Sequence, residues 1–375
     1  MGTKIKLFTD WLYRPSTESS PAFILYPLWQ IHFGSKVDCR DKSEFRDVNR
    51  FGSLISNWNK YFEYVSKPES ADYVILPSDW KHYLWAGKQD IGLKFLKKTE
   101  LSLKRTIVQY NADDDLPLAF PGVCMLPIVV RTSLNVSQRQ PNEYVMPGFV
   151  GDPLAVYSKD GPSLRQKITI PKVSYCGWAS AISMDEQELE SFHLLVESNQ
   201  FSNLSLLSQA DKIYSFRRKV LDLLQQSPRI ETDVIIREGY CAGIDRAGDN
   251  AGLALVRQEY FANLLGSDYV LCIRGKGNYS YRFYETLAAS RIPIFINTDS
   301  PLPLPETINW RDHCVLIEHR DIKSIDKTVL SYHDGLSADE FANIQRGNRL
   351  LWENLLTPER YFAHLFTHLS SMAMT

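Results

Sequence analysis

The sequence predicts an α/β protein of two domains, each built on a mainly parallel sheet, and two observations lead there. Short apolar runs rich in Val, Ile, Tyr and Phe alternate with longer stretches whose apolar residues recur every three or four positions, as buried strands alternate with packed helices. The 375 residues also exceed what one ordinary hydrophobic core serves, so length points to about two or three domains. Hydrophobic residues at 44% and charged residues at 23% are ordinary globular values, which excludes a disordered or fibrous chain.

In the first half, strands are expected at 5–9, 73–77, 106–110 and 144–146, each followed by a polar or Gly/Pro-bearing turn. Helices are expected at 45–64 and 91–102 from their apolar spacing. The run Pro147-Gly148-Phe149-Val150-Gly151-Asp152-Pro153 and the polar stretch after it look like an interdomain connection. This gives a first domain at 1–155, a linker at 156–171, a second domain at 172–356 and a final helix within 357–375. That helix starts at Pro358, carries Phe362, Leu365, Phe366 and Leu369 on one side, and is expected to cross back to the first domain.

The second domain opens with a strand at 172–176, a long helical region at 185–226 and a strand at 233–237. Its clearest unit follows: strand 268–273, glycine loop 274–280, helix 281–290, strand 292–296. In such a βαβ unit the crossover is right-handed and ligands bind at the carboxyl ends of the strands, so the loop after Ile273 points into a cleft.

Charge and composition exclude several function classes. With 42 basic and 44 acidic residues the net charge is -2, which supplies no bulk attraction for nucleic acid. The densest basic cluster, Lys94, Lys97, Lys98, Lys104 and Arg105, reads at helical spacing as a solvated face. Six cysteines stand singly without a Cys-x-x-Cys pair, as reduced thiols do. No signal peptide and no apolar run of 18 residues is evident, so the expected location is cytoplasmic, with any membrane contact peripheral. Sequons occur at Asn135, Asn203 and Asn278, the last inside the glycine loop, where a glycan would obstruct a ligand.

Chemistry concentrates in that loop. Gly275 and Gly277 let backbone amides approach an anion, Asn278 is a further donor-binding candidate of the loop, and the start of the following helix, at Ser280, adds partial positive charge. Arg274 offers a fork for phosphate oxygens, and Lys276 either adds a point charge or stays in solvent. Arg282 and Glu285, three apart, share a helix face; they form either a surface ion pair or a phosphate and ribose contact. Arg237, closing a strand, and Asn297, at the end of the next one, are further donor-side candidates, each equally readable as a structural turn. His364 and His368 have metal-ligand spacing on a helix but lack a third ligand, so no metal site is expected.

The segment from Ser267 through Arg274-Gly275, then Arg282-Phe283-Tyr284-Glu285-Thr286-Leu287 and Ile292-Pro293-Ile294-Phe295, resembles the exostosin glycosyltransferase family. Weaker echoes at 71–77, 144–147 and 173–177 fall in the family's order. The family's usual proline before Arg-Gly is replaced here by Ile273, and many of its members are secretory-membrane proteins, so the chain looks like a soluble, bacterial version. The resemblance implies a GT-B fold, with two Rossmann-like domains facing each other across a cleft. It also implies inverting transfer from a nucleotide sugar, expected to be UDP-linked, without an obligatory metal cofactor.

The expected partners are therefore that donor and an oligosaccharide or glycolipid acceptor of polysaccharide biosynthesis. Inverting transfer needs a base for the acceptor hydroxyl. Asp113, Asp114 and Asp115, after the strand at 106–110, supply one candidate among the three. The same run also reads as a metal-binding Asp-x-Asp or as a solvated turn. The alternative function is a noncatalytic module that binds a nucleotide sugar or glycan in a retained donor pocket.

Overall fold

The computed structural model describes residues 3–33, 50–158, 163–198, 200–201, 204–244 and 249–372. Two parallel sheets organise them. The first has six strands in the order β2-β1-β3-β4-β5-β6, with β1 at Ile5–Phe8, β2 at Phe62–Tyr64, β3 at Tyr73–Ile75, β4 at Thr106–Tyr110, β5 at Ile128–Arg131 and β6 at Glu143–Val145. The second has five in the order β11-β10-β9-β7-β8, from β7 at Lys172–Trp178, β8 at Glu231–Arg237, β9 at Tyr269–Cys272, β10 at Ile292–Asn297 and β11 at Val315–Glu318. Every strand pairing in both sheets is parallel. Helices cover both faces, so the central strands β3, β4, β5 and β9 are buried throughout.

In the first domain the helices are α1 (Tyr26–Phe33), α2 (Gly52–Tyr61), α3 (Trp80–Trp85) and α4 (Gln89–Glu100), and α5 (Pro153–Tyr157) begins the crossing. Asp152 caps α5 by accepting the Leu154 amide, with Pro153 at its first position. The second domain holds α6 (Glu186–Glu197), α7 (Leu206–Gln225), α8 (Asn250–Leu265), α9 (Tyr281–Ala288), α10 (Ile325–Asp334) and α11 (Ala338–Leu351). Reciprocal capping boxes start α6, through Asp185 and Glu188, and α11, through Ser337 and Glu340.

After a π-turn at Trp352–Leu356, the last helix, α12 (Pro358–Met372), returns to the first domain. The Phe366 ring stacks on Tyr73 with centroids 4.6 Å apart, the Tyr73 hydroxyl donates to the Phe366 carbonyl at 2.8 Å, and Ser53 donates to Glu359. The two crossings are clamped together by Arg349, whose guanidinium makes two 2.7 Å bonds to the Asp152 carboxylate.

The two parallel α/β domains agree with the GT-B architecture expected from sequence. Three expectations need correction. The helix expected over 45–64 is helical at Gly52–Tyr61, but Phe62–Tyr64 leaves it to form edge strand β2; residues 45–49 lie outside the described residues. The region 185–226 is two helices, α6 and α7, rather than one. Strands β5 and β11, four residues each, carried too short a pattern to be marked.

Candidate active site

The carboxyl ends of both sheets face one cleft, and the loops that leave them touch across it. After β9 the loop from Arg274 folds back on itself, with the Gly275 amide donating to the Tyr279 carbonyl at 3.1 Å. Its tip is fastened to the first domain by Asn278, which is buried with both side-chain atoms bonded to protein and so holds the loop rather than the donor-binding place expected of it. The Asn278 amide donates to the Ser133 hydroxyl at 2.8 Å, and its side chain donates to Asn135 at 2.7 Å and to the Thr298 carbonyl at 2.9 Å. Beside it, Asp299 after β10 accepts from the Ser137 hydroxyl, and the Val136 amide donates to the Asp299 carbonyl at 2.9 Å.

The Asp run lies directly opposite. Asp113 is exposed and accepts a 2.8 Å bond from the Tyr279 hydroxyl across the cleft. A methyl group on Gly277 would come within 3.0 Å of the Asp113 Cα, so the close approach of loop and Asp run requires glycine there. Asp114 takes the Tyr110 hydroxyl at 2.6 Å, and Asp115 is buried and takes the Asn135 amide at 2.6 Å. Arg131, at the end of β5, holds this segment from beneath. Its guanidinium donates to the carbonyls of Asp114, Leu116 and Ser133 and pairs with buried Glu143 at 2.9 Å.

On the second-domain side the expected residues take unequal places. Arg274 is buried over the Phe201 ring and donates to the Lys276 carbonyl at 3.0 Å, thereby shaping the loop. Burial lowers its pKa to about 10, opposed by Asp115 and assisted by a second guanidinium, Arg217. Sequence reasoning missed Arg217. It extends from α7, donates at 2.6 Å to the Arg274 carbonyl and at 2.8 Å to the Trp178 carbonyl, and lies over Tyr214. Tyr214 in turn stacks on Trp178 with centroids 3.9 Å apart. Only the apolar period of α7 was legible there; that one of its arginines reaches the cleft depends on how the helix rolls against the sheet.

Arg282 does not pair with Glu285. Its guanidinium turns inward over Tyr175 and donates at 2.6 Å to the Cys176 carbonyl, in space left by Gly177, whose added Cβ would lie 2.4 Å from it. Glu285 is buried between Arg257 at 2.9 Å and Tyr260 at 2.5 Å. Both residues thus brace α9 from behind, and the ribose contact expected of Glu285 would require displacing Tyr260 or Arg257. Lys276 is half-buried, and Ser280 begins α9 without a side-chain cap, which leaves the first amides of the helix for a ligand. Arg237 is ion-paired with Glu259, and Asn297 bonds Glu318 and the Ser300 amide, as a structural turn does.

Among the described residues no three His, Cys, Asp or Glu side chains gather to hold a metal ion. His364 instead bonds Thr307, and His368 faces Glu306. No described helix is long and apolar enough to cross a membrane. A cavity of about 390 Å³ lies away from the cleft, behind the two crossings, lined by α2, Asp152, Arg349 and the start of α12.

Comparison with known proteins bears on the second domain most directly. Residues 157–332 match the Exostosin GT47 domain. The chain is similar to Exostosin-1a of Danio rerio, 32% identical over 97 residues that make up 26% of this chain and 13% of that protein. It is also similar to the Exostosin-1 homolog of Caenorhabditis elegans, 36% identical over 75 residues, 20% of each. The aligned part is thus a small fraction of these relatives' length.

Among solved structures, the trehalose 6-phosphate synthase of Burkholderia multivorans aligns over 88% of this chain and 70% of its own, at a TM-score of 0.34 and 8% identity. WaaG, a glycosyltransferase of lipopolysaccharide biosynthesis, aligns over 97% of this chain and 100% of its own at 0.33 and 11%. By the domain match and the curated relatives, residues 157–332 are similar to the exostosin GT47 family.

Proposed function

We propose that the chain is an inverting glycosyltransferase that moves a sugar from a UDP-linked donor to a hydroxyl of a glycan or glycolipid acceptor in polysaccharide biosynthesis. The observation that carries the reading is the bridged cleft: the loop bearing Arg274, with Arg217 beside it, faces the exposed carboxylate of Asp113 through the Tyr279 bond at 2.8 Å. In this reading the donor diphosphate lies against Arg217, Lys276 and the uncapped start of α9, with Arg274 holding the loop in shape. The stacked pair Trp178 and Tyr214 offers a flat surface for base or sugar.

Asp113 is the base because it alone is exposed with an oxygen to spare: Asp115 is buried against Asn135, and Asp114 takes the Tyr110 hydroxyl on one oxygen and the Leu116 amide on the other. The acceptor hydroxyl gives its proton to Asp113 while its oxygen attacks the anomeric carbon. The bond from that carbon to the diphosphate breaks on the opposite face, and the nucleoside diphosphate leaves with the electron pair, its charge held by the cationic side of the cleft. No obligatory metal enters this scheme.

The test is thermal stabilisation by a panel of nucleoside diphosphates, followed by turnover with the matching sugar donor in the presence and absence of chelator. One nucleotide is expected to stabilise the protein, Arg217→Ala to remove that shift, and Asp113→Asn to keep the shift but lose release of the diphosphate. Absence of any nucleotide shift would sink the reading, and activity that dies in chelator and returns with magnesium or manganese would overturn its metal-free part. Binding without release by the unsubstituted protein would assign the chain to the noncatalytic alternative.

A further inference from the structure

At the amino end of the first sheet, on the side opposite the cleft, the turn between α4 and β4 exposes two leucines, Leu101 at 87% and Leu103 at 80%. The turn is ordered: the Ser102 amide bonds the Thr99 carbonyl at 3.1 Å and the Leu103 amide bonds the Glu100 carbonyl at 3.0 Å. Leu103 sits at φ 54, in the left-handed region that glycine or asparagine occupies at least cost. Neither backbone preference nor burial accounts for a leucine there.

A third apolar group joins them. Leu126, 55% exposed, stands two residues before Ile128, which pairs with Ile107, and so enters the sheet at the same end. Glu100 ties the segments together by accepting the amides of Cys124 at 2.6 Å and Met125 at 2.7 Å. Around this tip stand Lys97, whose ammonium lies against Gly122, together with Lys104 and Arg105. Lys94 and Lys98 are ion-paired with Asp90 and Asp10, whereas among the described residues Lys97, Lys104 and Arg105 make no ion pair. The nearby acids are spent on backbone, Glu100 as above and Asp72 on the Lys6 amide.

We propose that this tip docks the protein on an anionic lipid surface, with Leu101, Leu103 and Leu126 entering the headgroup boundary and Lys97, Lys104 and Arg105 meeting acidic headgroups. Exposed apolar groups ringed by unpaired cations match such a surface in both polarity and charge. An aqueous protein partner would have to supply both an apolar socket and a carboxylate collar. Docking at the amino ends of the strands leaves the cleft at their carboxyl ends open to solvent, and the proposal does not depend on what that cleft binds.

The experiment is flotation of the full chain with vesicles of phosphatidylcholine alone and of phosphatidylcholine with about 30% phosphatidylglycerol, at low and high salt. Binding is expected to the anionic vesicles and to weaken with salt. Leu101→Ser with Leu103→Asn is expected to lower partitioning about tenfold per leucine, and Lys104→Glu with Arg105→Glu about fivefold per charge. Asparagine suits the left-handed backbone, so the leucine variant should melt no lower than the parent, and any nucleotide-induced shift in melting should be unchanged. No flotation, equal flotation with neutral vesicles, or flotation indifferent to the leucine variant would overturn the proposal. So would concentration-dependent self-association abolished by that variant, which would make the tip a contact between copies.

Discussion

His193 on α6 and His319 just after β11 meet with their Nδ1 atoms 2.9 Å apart, both nearly buried. A bond at that distance requires one ring to donate and the other to accept, so the accepting imidazole is neutral and the two rings are never charged together. Burial pushes both pKa values down, His319 from 6.5 to about 4, with Arg320 opposing charge on either ring and Glu190 and Glu197 favouring it on His193. An unfolded histidine takes up its proton near 6.5 while the folded one refuses it until about 4. Stability from His319 is therefore fully present above 6.5, falls as the pH drops toward 4, and has no more to lose below that. The expected outcome is that His319→Asn flattens the decline of melting temperature between those limits. A profile running parallel to that of the unsubstituted protein would refute it.

At the scale of elements, the strand, loop and helix from Tyr269 to Ala288 show how a glycine's role is set by what lies opposite rather than by the motif. The sequence offered Gly275 and Gly277 as equals. In the fold a methyl on Gly275 would meet nothing nearer than Arg217 at 4.0 Å, and its amide is already bonded within the loop. A methyl on Gly277 would collide with the Tyr279 ring at 2.5 Å and press on the Asp113 backbone at 3.0 Å. Gly277→Ala is thus expected to push the loop off the Asp run and lower turnover on the order of 100-fold, as small misplacements of reacting groups do. Gly275→Ala should leave folding and turnover close to normal. Equal effects on turnover from the two substitutions would contradict this reading.

The same element marks what could be read in advance. The βαβ order, the start of α12 at Pro358 and the two-domain division follow from period and punctuation, which are local properties of the chain. The inward turn of Arg282, the capture of Glu285 by Arg257 and Tyr260, and the reach of Arg217 into the cleft are long-range. They depend on which helix face meets which strand, and spacing within one helix does not encode that. Edge strand β2 was lost for a related reason: Phe-Glu-Tyr continues a helical pattern until a parallel partner, β1, is there to take it.

For the whole molecule, one buried apolar cluster runs through both domains, and at the cleft a polar network joins them, two members of which belong to sequons. Asn135 and Asn278 are 5% and 1% exposed, and their side chains bond one another at 2.7 Å. Through Ser133, Thr298 and Ser300 the same network joins the ends of β5, β9 and β10, so it sets the distance between the loop after β9 and the Asp run. A glycan on either asparagine has no space in this fold and takes one of the two side-chain N–H groups, both of which donate here, Asn278 to Asn135 and Thr298 and Asn135 to Asp115 and Gln138. If the chain is directed through a compartment that contains oligosaccharyltransferase, the molecules that reach the folded, monodisperse state should carry no glycan at Asn135 or Asn278. Modified molecules should remain in the misfolded fraction, and mass spectrometry of both fractions decides the matter. Asn278→Gln, which keeps the amide but lengthens its reach, is expected to lower the melting temperature even where no glycan can be added, because the bonds to Asn135 and Thr298 cannot both be kept. A folded fraction fully glycosylated at Asn278 and still bound by nucleotide would mean that the domains do not meet through this junction.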